Sequence, residues 1–286
     1  MTASRDPSSD ASTPGIATDG ARDGAVAELR ATTAHGAARD AIVWPDGPPG
    51  QLLTSGTRAD VYAIDDARVL RRYRSGASAE PEVEIVRHVI AHGFPAPEVY
   101  WAGGPEIVME RLHGPTLLQA MTAFEVTFTD AGRILADLHT RLHAIPALRS
   151  SDRRAVTVHL DLHPANIILS ETRGPVLLNW AHARAGAAAM DVATTALILA
   201  EVIADAVSEY SQAARSLLVH FLDATTIDPR PALHDAERHR IIESNLVPGE
   251  HALVPAAAEL VRHYAAVRHD HVADAPDDPG TTTAHG

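Results

Sequence analysis

The chain has 286 residues, 45% of them hydrophobic, so it can hold one large domain or two smaller lobes around a sizeable core. Its 24 basic residues, all arginine, face 37 acidic ones, and the net charge of −13 argues against a nucleic-acid partner, which needs clustered cations. The absence of cysteine excludes disulfides, thiolate metal sites and cysteine nucleophiles, and the absence of lysine excludes a catalytic lysine.

No apolar run reaches the roughly 20 residues that a membrane span needs, and no secretory signal pattern opens the chain. A cytoplasmic protein without a membrane partner is expected. Residues 1–40, rich in Ser, Thr, Ala, Asp, Gly and Pro, are expected to be a disordered extension with a short helix near 25–31. Residues 41–112 read as a small β-rich lobe. Leu52-Leu53-Thr54 runs into Ser55-Gly56-Thr57, then Val61-Tyr62-Ala63-Ile64; Asp65-Asp66-Ala67 turns the chain, and Val69-Leu70-Arg71-Arg72-Tyr73 returns. A helix follows from about Pro81, where proline suits the first turn, with Ile85, Val86, Val89 and Ile90 on one face. Strands are expected near 98–102 and 106–112.

Residues 113–269 read as a larger, mainly helical lobe. The segment 129–143 is amphipathic, with Ile134, Leu135, Leu138 and Leu142 as its apolar stripe. A short hairpin is expected at 167–169 and 176–178. Helices follow near 191–210, 212–222, 231–243 and 251–266, and a disordered tail at 270–286. A small β lobe before a large α lobe implies a cleft between them, where ligands bind.

The chemistry-bearing stretch is His159-Leu160-Asp161-Leu162-His163-Pro164-Ala165-Asn166. Phosphoryl transfer needs a group that orients the nucleophile, metal ions that neutralise charge, and donors to the phosphates. Asp161 is placed to accept a hydroxyl proton, and Asn166, five residues on, to offer an amide oxygen to Mg²⁺. Asn179, thirteen residues further, ends an apolar strand that would aim a second ligand at the same metal.

These motifs resemble those of the aminoglycoside phosphotransferase-like family of small-molecule kinases, related to choline and homoserine kinases. The family's loop reads like His-Gly-Asp-Leu-His-Pro-x-Asn-Ile-Leu, and Leu160 stands at its glycine. Its metal strand reads like Ile-Asp-Trp, matched here by Leu178-Asn179-Trp180, and its later Asp-x-Ala by Asp191-Val192-Ala193. The resemblance spans about residues 50–265. It implies an α+β, two-lobed protein-kinase-like fold, ATP and Mg²⁺ as cofactors, and a small hydroxylated acceptor such as an aminoglycoside, another antibiotic or a metabolite.

It also implies roles for single residues. Ser55, Gly56 and Thr57 would form the turn over the phosphates, and Val61 would lie over the adenine. Arg71 would stand where a lysine normally meets the α- and β-phosphates; strand alternation turns Arg72 to the other face. Glu82 would pair with that cation, with Glu84 as the alternative. Met109 would border the pocket, and backbone groups of Glu110 and Leu112 would meet the adenine. Asp191 would hold the loop through backbone N–H groups, and His159 would pack and hydrogen-bond it.

Asn179 supplies a neutral oxygen where the family has a carboxylate, and hard cations favour carboxylate. Two readings therefore stand: an active small-molecule kinase, and a degenerate kinase that binds nucleotide or metabolite without efficient turnover. His139 and His143, one helical turn apart, lack the glutamate of a zinc-protease helix. Glu201, Asp205 and Glu209 form a carboxylate row at helical spacing, read as a solvated face or as a receptor for a cationic substrate.

Overall fold

The computed structural model describes residues 50–205, 208–242 and 250–273. The expected N-terminal extension and residues 274–286 of the expected tail lie outside them, while residues 270–273 of that tail are not disordered but continue the last helix. The first lobe is one antiparallel sheet of β1 (Leu52–Ser55), β2 (Ala59–Ala63), β3 (Arg68–Tyr73), β4 (Val99–Gly103) and β5 (Glu106–Glu110), in the order β1-β2-β3-β5-β4. The β2–β3 turn forms where the Asp65-Asp66-Ala67 pattern predicts it, because Asp65 Oδ1 accepts the Ala67 N–H at 2.9 Å. Helix α1 (Glu80–Ala91) carries Pro81 in its first turn and buries Glu82, Val83, Val86 and Val89. Val83 packs with Ala79 and Ile107 beneath the sheet, while Val86 and Val89 join the core of the second lobe. One helix thus ties the two lobes together.

The second lobe is helical, with two small antiparallel ladders. Helix α2 (Leu117–Thr122) opens with a complete capping box between Thr116 and Gln119. Thr127 caps α3 (Phe128–His143), whose buried side includes Leu135, Leu138 and Leu142. Strand β6 (Val156–Val158) leads into the 159–166 loop, and the hairpin β7 (Ile167–Ser170) and β8 (Gly174–Leu177) follows it. Strand β9 (Arg184–Gly186) pairs with β6, a ladder too short to leave an alternating signal in sequence. Then come α4 (Ala188–Ala204), α5 (Ser211–Ala224), α6 (Leu233–Ile242) and α7 (Val254–Ala273). Among the described residues Trp180 and Phe221 are the two largest fully buried side chains, and both belong to this core. The whole is the α+β, two-lobed architecture that the sequence predicts.

Two expectations need correction. The helix expected over 191–210 starts earlier and ends at Ala204, because the backbone turns extended at Asp205, with ψ 102°. The carboxylate row is therefore not one helical face. Nor is Glu201 solvated: it is 1% exposed and paired with Arg240. The expected helix over 231–243 begins as a 3₁₀ turn, Arg230–Ala232, and residue 243 lies outside the described residues. No helix among the described residues is long and apolar enough to cross a membrane.

Candidate active site

The loop after β6 is held from below by one carboxylate. Asp191, fully buried in the first turn of α4, accepts the His159 N–H at 3.0 Å through Oδ2 and the Leu160 N–H at 2.7 Å through Oδ1. Leu160 sits at φ 61°, a left-handed conformation that disfavours a branched side chain. The family's glycine would adopt it freely. Here the cost is offset by burial of the leucine, 1% exposed, and by the two N–H bonds.

His143 Nε2 reaches Asp191 Oδ2 at 2.9 Å, and His139 Nδ1 lies 3.5 Å from the same oxygen. Burial alone would raise the Asp191 carboxyl, but hydrogen bonds and charge from His139 and His143 hold it well below the usual carboxylate range. These three side chains are the one grouping of metal-ligand type among the described residues. Both Asp191 oxygens are already committed to backbone N–H groups, so the grouping acts as an anchor for the loop.

His159 is fully buried. Its Nδ1 accepts the Asp161 N–H at 3.2 Å, so its Nε2 carries the proton that bonds the Leu178 carbonyl at 2.9 Å. Burial pushes its pKa down to about 4. A folded-state value below the unfolded one gives stability that is complete above pH ~6.5 and is lost as the pH falls toward 4. His139, also lowered by burial, adds in the same direction. Denaturant unfolding at pH 7 and pH 5 should therefore show a loss of about 2 kcal/mol from His159. In His159→Gln that part of the pH dependence should vanish; an unchanged slope would refute a buried neutral imidazole.

Above the loop lies a continuous hydrogen-bond chain between the lobes. Asp161 Oδ2 accepts Asn166 Nδ2 at 2.9 Å and Asn179 Nδ2 at 2.8 Å. Asn166 Nδ2 also bonds the Asp161 carbonyl at 2.8 Å. Asn179 Oδ1 accepts Arg71 Nη2 at 2.9 Å, and Arg71 Nη1 donates to Glu82 Oε1 at 2.5 Å. The orientation of the Asn179 amide follows from its partners, since a guanidinium only donates and a carboxylate only accepts. Asn179 itself holds φ 64°, where asparagine is tolerated. Arg71 is 8% exposed and Glu82 6%. Arg72 turns away to Glu106, and Glu84 pairs with Arg149, so Glu82 is the partner of the buried arginine.

These groups face a cavity of about 680 Å³ between the lobes. Gly56, Thr57, Val61, Val69, Met109, Glu110 and Leu112 line its first-lobe side. Ser55 is not among the lining residues; its hydroxyl donates to Asp60 at 2.8 Å and accepts from Arg74. The Gly56 N–H is taken by the Ala59 carbonyl at 3.0 Å, and the Glu110 N–H by the Glu98 carbonyl at 2.8 Å.

Sequence reasoning missed several lining residues. Arg58, in the β1–β2 turn, has a buried Nε with no hydrogen-bond partner among the described residues. Its place one residue after Thr57 was the available signal. Phe124, Tyr210 and Arg240 also border the cavity; Glu201, named from the sequence as one of a carboxylate row, borders it paired with Arg240. Glu201 and Arg240 are 39 residues apart, on α4 and α6, and no local pattern links them.

A family model described as a phosphotransferase enzyme family matches residues 50–155 and 142–216. A search of curated proteins finds no match. The crystal structure of aminoglycoside phosphotransferase APH(4)-Ia is similar at a TM-score of 0.50, with 14% identity over 75% of this chain and 93% of that one. A Plasmodium vivax ethanolamine kinase is similar at a TM-score of 0.50, with 12% identity over 77% of this chain and 84% of that one. At these identities the likeness establishes the kinase-like fold.

Proposed function

The chain belongs to the phosphotransferase enzyme family, whose model covers more than half of it, and on that premise we propose that it transfers the γ-phosphoryl group of ATP to a hydroxyl of a small molecule. The observation that carries this reading is the convergence of Asp161, Asn166 and Asn179 from one lobe and Arg71 from the other on a single cavity.

In this reading the adenine lies between Val61 and Met109, against the backbone near Leu112. The phosphates lie under the Gly56–Thr57 turn, where Arg58 and Arg71 supply positive charge. The Arg58 Nε is buried with no hydrogen-bond partner among the described residues. Arg71 is held in place by Glu82, and its planar fork replaces the usual ammonium. Asp161 orients the acceptor hydroxyl and takes its proton. The new bond forms between that oxygen and the γ-phosphorus; the bond to the β,γ-bridging oxygen breaks, and ADP leaves. Such a reaction belongs where ATP is abundant, in the cytoplasm.

A magnesium ion would neutralise phosphate charge as the reaction proceeds. The residues fit such an ion at Asn166, whose Oδ1 makes no hydrogen bond while its nitrogen is anchored on Asp161. Asn179 fits less well. Its oxygen already accepts from Arg71 and would have to release it.

That last observation favours a second reading, in which the site binds nucleotide without efficient transfer. The amide of Asn179 answers the Arg71 donor with its oxygen and the Asp161 acceptor with its nitrogen. The two readings separate in one experiment, ADP release from ATP in the presence of hydroxylated acceptors, with parent and Asn179→Asp proteins side by side. Measurable release by the parent supports the transferase. Release at background by the parent, with release by Asn179→Asp at least about 10-fold above background from the restored charge–charge attraction to the cation, supports the degenerate reading. No release by either protein refutes phosphoryl transfer.

A further inference from the structure

The acceptor side of the cavity differs in character from its nucleotide side. Among the described residues its walls come from α2 to α5 and are apolar, with Leu118, Met121, Phe128, Ile198, Val202 and Leu217 prominent. Apart from Asp161 and two histidines, the ionisable side chains bordering this side among the described residues are Glu201, Arg240 and the phenol of Tyr210. Glu201 and Arg240 are committed to each other. Arg240 Nε donates to Glu201 Oε1 at 3.0 Å and Nη2 to Oε2 at 2.8 Å, with the Glu201 side chain 1% exposed. A carboxylate held in that two-pronged pair, in a dry wall, has little left to offer an incoming ammonium group.

A second observation lies at the rim. Phe124, between α2 and α3, is 92% exposed and sits at φ 59°. A phenyl ring in water on a left-handed backbone is costly twice over, and such strain gathers where a ligand is clamped. Tyr210, half-exposed, borders the same cavity.

We infer that the acceptor is an uncharged alcohol with an apolar body, and not a polycation. The inference rests on the transferase reading only in naming this ligand an acceptor. Several ammonium groups placed between these walls would lose their hydration and find Asp161 as the one lining carboxylate, among the described residues, not already paired with an arginine. An apolar body would cover Phe124 and the α4 and α5 side chains, and would bring its hydroxyl to Asp161.

Calorimetric titration of the full chain tests this with 1-hexanol, 1-octanol and 1-decanol against the polycation kanamycin and the small cation choline. The alcohols should tighten by about 3- to 4-fold per added methylene, and kanamycin and choline should bind more weakly than 1-decanol. Val202→Asp, which places a charge on the apolar wall, should weaken 1-decanol by at least about 10-fold. Should that variant fold poorly, Phe124→Ala at the exposed rim should weaken it several-fold, with Phe124→Tyr restoring most of the loss. A flat alcohol series overturns the inference. So does kanamycin or choline binding more tightly than 1-decanol, or alcohol binding that ignores both the wall and the rim variants. The readout is binding alone, so a graded alcohol series without ADP release would leave this inference standing and refute the transferase reading.

Discussion

Asp161→Asn should lower phosphoryl transfer by about 100- to 10,000-fold while leaving ATP affinity and the unfolding midpoint close to those of the parent. The size follows from the role. A positioned base contributes by taking the hydroxyl proton as the new bond forms, and an amide of the same shape has no proton affinity to offer. The selectivity follows from geometry. Asp161 Oδ2 accepts from Asn166 and Asn179, and the oxygen of an asparagine could keep accepting from both. The loop would thus stay where Asp191 holds it. Initial rates of ADP release, with ATP binding measured separately, check the prediction. Equal loss of binding and turnover would mean that Asp161 shapes the site rather than acting in the reaction.

The same chain of bonds explains what Asn179 changes. An aspartate at 179 would set a second carboxylate against Asp161, an arrangement that needs a cation between the two. Asparagine removes that need by presenting an N–H to Asp161 and an oxygen to Arg71. The substitution of arginine for lysine at position 71 suits this. A guanidinium has enough donors to hold Glu82 and Asn179 together. The two departures from the family pattern are therefore partners in one hydrogen-bonded unit, 108 residues apart in sequence.

How much of this was legible in sequence depended on the range of the forces involved. The β2–β3 turn, the α1 start at Pro81 and the apolar stripe of α3 are local and periodic, and each reads directly from neighbouring residues. Helical spacing favours Glu82 by putting it on the side of Val86 and Val89, but Glu84 stays open until the partners Arg71 and Arg149 are seen. The orientation of the Asn179 amide was not legible, because it is set by Arg71 from the other lobe. The pairing of Glu201 with Arg240 was hidden for the same reason. Three carboxylates at helical spacing look alike until the end of α4 at Ala204 and the approach of α6 are known. The unpartnered Nε of Arg58 depends likewise on what surrounds a turn rather than on the turn itself.

Asp191→Ala should cost about 3–5 kcal/mol of stability and abolish turnover, although Asp191 does not line the cavity. The truncation leaves the His159 and Leu160 N–H groups buried with no acceptor, and each such group costs about 1–3 kcal/mol. His139 and His143 lose their shared carboxylate at the same time. Leu160 is the weakest point, because its left-handed backbone is sustained by one of the bonds removed. Once Leu160 relaxes, the next residue, Asp161, moves with it, and the acid is no longer opposite Arg71 and Asn179. Asp191→Asn separates the two effects. Its one oxygen can keep a single N–H bond, so it should recover part of the stability and little of the turnover. Denaturant unfolding and ADP release on the two variants measure both quantities. Retention of parent-like turnover in Asp191→Ala would show that the loop holds its shape without this anchor.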